Sequence, residues 1–243
     1  PGMSSDRIYA MPLGKVGDFV FDEKVVEVFP DMIQRSVPGY SSIVSMTTEL
    51  AQQYSRPGGR IYDLGCSLGA CTLPMAEVVP PSCEIEAIDS SEAMIERLKK
   101  IMSEWPADVA KVNLRLQDVM SVEFEPCCFA VSNFTLQFIP IEQRGELLSR
   151  VADSLCVGGA LVLSEKVEFD SEGEQSLMVD LHHAFKRANG YSALEVAQKR
   201  SSLERTLLPE TIETHRERLL EAGFRQFSCW FRCFNFVSMI AIK

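Results

Sequence analysis

Between residues 60 and 165 the chain alternates short apolar runs with amphipathic segments. Short apolar runs are typical of buried strands, whereas apolar residues that recur every three or four positions indicate helices. The predicted strands cover 60–64, 84–88, 112–116, 127–133 and 160–165. The predicted helices cover 70–79, 92–104 and 141–156, and we expect Gly158-Gly159 to end the last helix and start the next strand. This alternation predicts a parallel sheet with helices on both faces.

The segment before this core is helical by the same criterion. Residues 1–58 show no strand-like alternation after the first residues, and the spacing of apolar positions in 21–29 and 40–54 predicts two helices. We expect this N-terminal cap to pack over the sheet and cover a ligand crevice. Tyr40 starts the second helix after a turn, so it either contacts a ligand or only packs against its own helix, and the spacing favours neither.

The segments after the core differ from it in pattern. Residues 171–222 predict a helical insertion, interrupted at 188–191 and at Pro209, that would act as a lid or a dimer arm. Two apolar runs within 225–243 meet at Asn235, which leaves no room for a crossover helix, so the last strand pair should be antiparallel. Cap, core, insertion and hairpin are predicted to form one domain.

Composition and charge limit the function classes. A chain of 243 residues with 46% hydrophobic and 24% charged residues fits one well-filled α/β core. The formal net charge of −10 argues against direct nucleic-acid binding, because gripping phosphates needs clustered Lys and Arg. A small-molecule substrate or a protein partner fits this charge better.

The eight cysteines form no C-x-x-C pair and stand mostly inside apolar runs. We therefore expect buried free thiols and no metal, since a zinc site needs paired ligand spacings. Free thiols, together with the lack of a signal peptide or a membrane-spanning run, predict a cytoplasmic protein with no membrane contact. Pro1-Gly2, ahead of Met3, is interpreted as an artificial leader.

The loop after the first predicted strand, Gly65-Cys66-Ser67-Leu68-Gly69, matches three motifs. A strand that feeds a glycine turn and a helix is typical of nucleotide cofactors, because unpaired N–H groups at the helix start face the ligand. The loop fits a degenerate S-adenosylmethionine loop, a degenerate dinucleotide loop, and the G-x-S-x-G elbow of serine hydrolases.

Polar residues at the ends of the next strands separate these hypotheses. In an open α/β sheet the ligand lies beyond the carboxyl ends of the strands. Asp89 follows the second strand, where a carboxylate accepts from both ribose hydroxyls. Asp118 follows the third and would accept from an adenine amino group while Val119 flanks the ring, and Asn133 follows the fourth. For either acid alone, a helix cap or a solvated loop would be the simpler interpretation.

The dinucleotide motif would need glycines where Ser67 and Ala70 stand, and it gives Asp118 no task. The elbow motif needs an acid and a histidine downstream of Ser67, and His182, His183 and His215 are present. However, the elbow should follow several strands and an H-G-G type loop, both of which are missing. We favour the S-adenosylmethionine loop, with Ser67 replacing the central glycine.

Longer blocks make the resemblance specific. The segments 28–40, 62–69, 133–138, 161–166, 185–192, 198–200 and 233–236 resemble the carboxy-S-adenosyl-L-methionine synthases over nearly the whole chain. These enzymes look like class I methyltransferases. The resemblance implies a Rossmann-like α/β fold with a mostly parallel seven-stranded sheet and an antiparallel C-terminal hairpin.

The resemblance also implies the reaction, which converts S-adenosyl-L-methionine and prephenate to carboxy-S-adenosyl-L-methionine and phenylpyruvate. The product would pass to a separate tRNA carboxymethyltransferase that modifies the wobble uridine, and the enzyme would be a homodimer. In the family's mechanism prephenate loses carbon dioxide, the sulfonium methyl loses a proton, and the resulting ylide captures the carbon dioxide. The runner-up is a conventional methyltransferase, and a serine hydrolase using Ser67 is the third hypothesis.

Matching residue by residue, the resemblance assigns the S-adenosylmethionine site to Tyr40, Gly65, Cys66, Ser67, Asp89, Ser90, Asp118, Val119 and Asn133. Arg200 would pair with the new carboxylate across the dimer, because a guanidinium fork binds a carboxylate bidentately. Without the resemblance, Arg200 would be interpreted as a surface ion pair on a charged helix. Ser90 stands where the family often has Asn, and no protein base is assigned.

Overall fold

The computed structural model describes residues 4–14, 17–203 and 206–243, so the interpretation of Pro1-Gly2 lies outside the described residues. The strands of this part form one sheet of seven in the order β3-β2-β1-β4-β5-β7-β6. They are β1 (Arg60–Leu64), β2 (Glu84–Asp89), β3 (Lys111–Leu116), β4 (Cys127–Asn133), β5 (Leu155–Lys166), β6 (Gln226–Cys233) and β7 (Phe236–Ile242). Strands β1, β2, β3, β4 and β5 are parallel to their neighbours within this group, and β6 and β7 form an antiparallel hairpin. This arrangement confirms the predicted fold class.

Eight α-helices surround the sheet in the part of the chain that the structure describes. They are α1 (Glu23–Ser36), α2 (Tyr40–Tyr54), α3 (Thr72–Val78), α4 (Glu92–Met102), α5 (Ile141–Ser154), α6 (Glu172–Ala188), α7 (Ala193–Leu203) and α8 (Ile212–Glu221). The first helix is longer than the predicted 21–29. Asp22 caps it by accepting from the Val25 N–H, and it continues past Pro30.

Alternating residues of the central strands bury opposite faces of the sheet. On β4, Phe129 and Val131 pack in one core cluster with α2 and α3, whereas Ala130 belongs to the cluster of α5 and α8. This side-chain period of two confirms that both faces carry helices. Leu219 of α8 is fully buried beside α5, so the last helix of the predicted insertion belongs to the core and not to a lid.

The glycine pair before β5 has a different role from the predicted one. Helix α5 ends at Ser154 and β5 begins at Leu155, ahead of Gly158-Gly159. The β4–β5 register shifts between the Cys127–Leu155 and Phe129–Ala160 pairs. Gly158 has φ +79°, and a Cβ on Gly159 would lie 2.9 Å from a backbone oxygen. The glycines therefore shape a bulge inside the strand, and the prediction that they end the helix is wrong.

Other predictions have mixed outcomes. Cys66, Cys71, Cys83, Cys127 and Cys128 are buried free thiols, but Cys229 is exposed because β6 is the edge strand of the sheet. Within the described residues, no helix is long and apolar enough to cross a bilayer. The assignment of cap, core, insertion and hairpin to a single domain stays a prediction.

Candidate active site

A cavity of about 940 Å³ lies at the carboxyl ends of the parallel strands. Strand order reverses between β1 and β4, and in open α/β sheets this reversal opens a crevice for ligands. The structure brings every predicted site residue to this cavity: Tyr40, Gly65, Cys66, Ser67, Asp89, Ser90, Asp118, Val119, Asn133 and Arg200. Helices α1, α6 and α7 also contribute side chains to its wall.

The glycine loop is held in a tight, left-handed turn. The N–H groups of Gly65 and Cys66 both donate to the Ile88 carbonyl, at 2.8 and 2.9 Å. Gly65 has φ +78°, and a Cβ there would lie 2.0 Å from Thr135 Oγ1. Ser67 also has a positive φ, 49°, which explains why the motif has glycine at this position in related loops.

Asp89 ties the loop to the second strand. Its Oδ2 accepts from the Ser67 N–H and its Oδ1 from the Ser91 N–H, both at 2.9 Å. Burial raises the pKa of Asp89, and these backbone donors oppose that rise. Each carboxylate oxygen keeps a second lone pair for a ribose hydroxyl. Asp89 therefore positions the loop as well as facing the ligand, a role that the sequence did not indicate.

Asp118 combines both interpretations that the sequence left open. Its Oδ1 caps a short 3₁₀ helix (Val119–Ser121) by accepting from the Met120 N–H at 2.8 Å. Its side chain is exposed at the cavity wall, so the second oxygen can accept from a ligand amine, while Val119 is buried beside it.

Buried polar groups form the floor of the cavity. Asp63 accepts from Thr72 Oγ1 at 2.6 Å, and burial raises the pKa of this carboxyl to about 6. Asn133 donates to Cys71 Sγ at 3.2 Å and accepts from Ser164 Oγ at 2.5 Å. Burial also raises the thiol pKa of Cys71, so this sulfur is neutral at pH 7. The floor is a hydrogen-bonded amide and carboxyl surface without a thiolate.

Tyr40 both starts its helix and faces the cavity, so the two alternatives that its sequence position left open are compatible. Gly39, with φ +75°, turns the chain into α2, and Tyr40 is the first residue of that helix. Its ring lies 6.3 Å from the Phe134 ring, centroid to centroid, and its side chain also lines the cavity. Burial raises the phenol pKa above its usual value of 10, so Tyr40 presents a neutral hydroxyl.

The opposite end of the cavity is cationic, and most of its residues were not predicted. Arg200 on α7 lines the cavity of its own chain. It is accompanied by Lys166, His182, His183, Lys186 and Lys199. Burial, together with neighbouring positive charges, lowers the pKa of Lys166 to about 8 and of Lys186 to about 7. The pKa values of His182 and His183 fall to about 2 and 4 by burial and the same charges, so both imidazoles are neutral.

Two sequence signals pointed to this end. Lys166 is the last residue of β5, so it obeys the strand-end rule that selected Asp89, Asp118 and Asn133. His182 and Lys186 stand four residues apart on α6, which places them on one helix face. Among the described residues, no group of three His, Cys, Asp or Glu side chains is arranged to hold a metal ion.

We expect Ser67→Gly to preserve both stability and activity. Glycine removes the cost of a left-handed φ but adds backbone freedom to the unfolded chain, so the free energy of unfolding should change by less than about 1 kcal/mol. The Ser67 N–H that donates to Asp89 is retained. Thermal denaturation and turnover check this, with Ser67→Val as the destabilised control because β-branched residues resist positive φ. A loss of all activity on folded Ser67→Gly would instead make the hydroxyl a nucleophile.

The comparisons with known proteins agree with this geometry. Residues 61–159 match the family model "Methyltransferase domain". The fold is similar to magnesium protoporphyrin IX methyltransferase from Synechocystis PCC 6803 with bound S-adenosylmethionine, at TM-score 0.58 and 15% identity, covering 98% of this chain and 88% of that one. Human N-acetylserotonin methyltransferase in complex with S-adenosylmethionine gives TM-score 0.59 at 14% identity, covering 91% and 55%. These matches place the chain in the class of proteins with a methyltransferase fold.

Relatives of high identity identify the family within this class. Carboxy-S-adenosyl-L-methionine synthase of Marinobacter nauticus is 50% identical over 100% of this chain and 97% of its own length. The synthases of Geobacter sp. and Aliivibrio fischeri are 52% and 48% identical, each over 98% of both chains. The chain belongs to the carboxy-S-adenosyl-L-methionine synthase family, and it is an enzyme that makes carboxy-S-adenosyl-L-methionine from S-adenosylmethionine.

The residues present fit S-adenosylmethionine. A Cβ on Gly65 would collide with Thr135, and the loop N–H groups already donate to Ile88 and Asp89, so the loop is held in one shape at the cavity wall. Asp89 and Asp118 offer carboxylate oxygens where ribose and adenine donors are expected. Ser90, which stands where the family often has Asn, also lines the cavity.

Proposed function

We propose that this enzyme uses prephenate as the source of the carboxyl group, forming phenylpyruvate as the second product. Carboxy-S-adenosyl-L-methionine then serves a separate tRNA carboxymethyltransferase that modifies the wobble uridine to 5-oxyacetyluridine. The net charge of −10 supports a division of labour in which this chain does not hold the tRNA itself. A homodimer stays part of the proposal.

The charge distribution along the cavity carries the proposal. Asp89 ends β2 and Asp118 follows β3, on the side of the sheet that suits the nucleoside. Lys166 ends β5 on the other side of the switch point, with Lys186 and Arg200 among the charges around it. A cavity built only for a cationic sulfonium ligand and a neutral methyl acceptor would gain nothing from three cations on its wall, least of all from the buried Lys186, because burying charge without a partner costs free energy. Prephenate is a dicarboxylate, and it compensates these charges.

The proposed reaction balances without an external oxidant. The bond from the prephenate ring to its carboxylate breaks and releases carbon dioxide, while hydroxide leaves the opposite ring carbon and the ring becomes aromatic. Hydroxide takes a proton from the sulfonium methyl to give water, and the methyl carbon forms a new bond to carbon dioxide. The protein would hold both substrates in contact and exclude water. Tyr40, Asn133 and the floor around Asp63 are neutral or hydrogen-bonded, which suits this positioning role.

In this scheme Arg200 binds the new carboxylate. Arg200 lines the cavity of its own chain, which supports this contact without the dimer crossing that the resemblance implied. A guanidinium remains charged and forms two parallel hydrogen bonds with a carboxylate. The nine predicted S-adenosylmethionine residues would hold the rest of the ligand.

Prephenate-dependent carboxylation is the expected result of the decisive experiment. The purified enzyme is incubated with S-adenosylmethionine, with and without prephenate, and the ligand is analysed by mass spectrometry. We expect a species heavier by about 44 mass units, the mass of carbon dioxide, only when prephenate is present, because the prephenate ring supplies the carboxyl group. Transfer of a labelled methyl group to an acceptor without prephenate would instead support a conventional methyltransferase.

The role of Arg200 is tested in the same assay. Arg200→Ala should weaken binding of the carboxylated product by about ten- to a hundred-fold, and binding of S-adenosylmethionine much less, because only the product carries the new carboxylate. Arg187→Ala on α6 removes the same charge from an exposed position outside the cavity wall and should change neither affinity. Equal losses for both ligands in Arg200→Ala would contradict the assigned role.

A further inference from the structure

Two lysines of the cavity have no partner in the structure. Among the described residues, the ammonium groups of Lys166 and Lys186 form no ion pair with a carboxylate and no side-chain hydrogen bond. The side chain of Lys186 belongs to a residue only 5% exposed. A lysine residue is rarely this buried without a counter-charge for its ammonium, and the cavity that Lys186 lines gives a ligand access to that group.

Lys199 shows what a structural lysine looks like in the same region. Its Nζ donates to Ser36 Oγ at 2.7 Å and lies 3.9 Å from Asp6 Oδ2. Lys199 is therefore satisfied within the fold, and it anchors α7 to α1 and to the N-terminal segment. Lys166 differs, since the neighbour of its Nζ is the Phe236 ring, with the centroid 6.0 Å away. The contrast separates two ligand-facing lysines from one that holds the structure together.

We propose that Lys166 and Lys186 bind the carboxylate that prephenate, the second substrate, keeps through the reaction. This carboxylate is the one on the pyruvyl side chain. This assignment rests on the proposed use of prephenate. Lys166 ends β5 and Lys186 lies on α6, so they approach one region of the cavity from two elements. Both side chains line the same cavity, and the charge of Lys166 contributes, after burial, to the lowered pKa of Lys186.

The choice between the two carboxylates follows from catalysis. An ion pair that stabilises a carboxylate in the bound substrate must be broken when that carboxylate becomes neutral carbon dioxide, so it raises the barrier. A cation pair on the retained carboxylate keeps its contacts through the reaction and contributes only to binding. Arg200 is assigned to the transferred carboxyl group only after transfer, when that group is a carboxylate on the product, so this ion pair does not oppose the loss of carbon dioxide. The cavity would thus handle the two carboxylates with different residues.

Phenylpyruvate is the probe that tests this division, because it carries only the retained carboxylate. Calorimetry measures its affinity for the enzyme saturated with S-adenosylmethionine. We expect Lys186→Gln and Lys166→Gln each to weaken phenylpyruvate binding by about ten- to a hundred-fold, as for the loss of a charged hydrogen bond. Arg187→Gln, an exposed charge one residue along α6, is the matched control and should have no effect. Unchanged phenylpyruvate affinity in both lysine variants, or no binding to the parent enzyme, overturns the proposal.

The pH dependence gives a second readout that a purely structural lysine would not move. The affinity for phenylpyruvate should fall as pH rises from about 7 through about 8, because the ammonium groups of Lys186 and Lys166 lose their protons in this range. The other titratable or charged groups around this region are Asp6, Tyr40, His182, His183, Lys199 and Arg200. Both histidines are already neutral. Lys199 also has a pKa of about 8, but its ammonium faces Asp6. Lys186→Gln should remove the lower step of the profile, and an unchanged profile counts against the assignment.

Failure of this proposal and failure of the prephenate reaction are distinguishable. Phenylpyruvate binding is measured without turnover, whereas carboxylation is measured on the parent enzyme by mass spectrometry. One outcome is that the parent enzyme carboxylates with prephenate while both lysine variants bind phenylpyruvate normally. That result would support the proposed function and contradict the lysine subsite. Thermal denaturation of both variants establishes folding, and we expect unchanged or higher stability because repulsion among buried cations is relieved.

Discussion

Substitution of Gly65 by alanine is expected to weaken S-adenosylmethionine binding by at least about a hundred-fold, because a displaced loop misplaces every group that depends on it. The new methyl group would lie 2.0 Å from Thr135 Oγ1 and 2.9 Å from Thr135 Cβ. Thr135 cannot easily turn away, since its hydroxyl donates to the Leu64 carbonyl at 3.0 Å. The left-handed φ of +78° adds about 1–2 kcal/mol for any L-residue with a Cβ.

Calorimetric titration with S-adenosylmethionine checks this expectation, and thermal denaturation measures the accompanying loss of stability. Gly145→Ala is the matched control, because a Cβ on Gly145 in α5 meets nothing within 4 Å. It should leave binding unchanged and raise stability by roughly 0.5–1 kcal/mol, as expected inside a helix. Adding Thr135→Ala to Gly65→Ala should restore part of the affinity. Affinity within about threefold of the parent for Gly65→Ala alone would contradict a tight loop.

The fold was predictable because its signals are local. Apolar runs predicted the central strands to within a few residues, and two apolar runs that meet at Asn235 without room for a crossover helix predicted the β6–β7 hairpin. The error at Gly158-Gly159 arose because a glycine pair marks a helix end and a strand bulge equally well in sequence. Only the shifted pairing of β5 with β4 separates them, and pairing depends on residues far apart in the chain.

The site was predictable where it follows the carboxyl ends of strands. Asp89, Asp118 and Asn133 obey that rule, and the same rule would also have selected Lys166. Lys186 comes from a helix of the insertion, whose position over the cavity no local pattern encodes. Its significance depends on the absence of a partner among the described residues, which is a property of three-dimensional packing.

A buried arginine of α5 joins the far wall of the cavity to the core. Arg144 is fully buried, and its guanidinium donates to the carbonyls of Ile139, Gln137 and Leu208 at 2.9, 3.2 and 2.9 Å. It also lies 2.6 Å from Glu210 Oε2. The sequence did not indicate this role. One side chain therefore joins the segment before α5 to the segment around Leu208, which is distant in sequence, and both segments line the cavity.

The acids around Arg144 make its loss costly. Burial opposes ionisation of Glu210, but hydrogen bonds from Arg218 and Arg144 hold the pKa of this carboxyl below its usual value. Arg218 contributes two contacts of 2.7 Å to the Glu210 carboxylate. Glu165 is fully buried nearby, and burial keeps its pKa well above normal although Arg144 lowers it. Removing the guanidinium leaves one carboxylate half-paired and removes a donor from three carbonyls, of which Gln137 keeps the Leu208 N–H.

Arg144→Leu is accordingly expected to lower the free energy of unfolding by about 3–5 kcal/mol, the cost of breaking a buried ion pair by removing one partner. Urea denaturation of the ligand-free enzyme measures this change. Arg216→Leu is the matched control, because Arg216 forms a solvent-exposed pair with Glu213 at 2.9 Å and should change stability by about 0.5 kcal/mol or less. A loss below about 1 kcal/mol for Arg144→Leu would contradict the network. Where the variant remains folded, its KM for S-adenosylmethionine should rise, because the segments that Arg144 holds form part of the cavity wall.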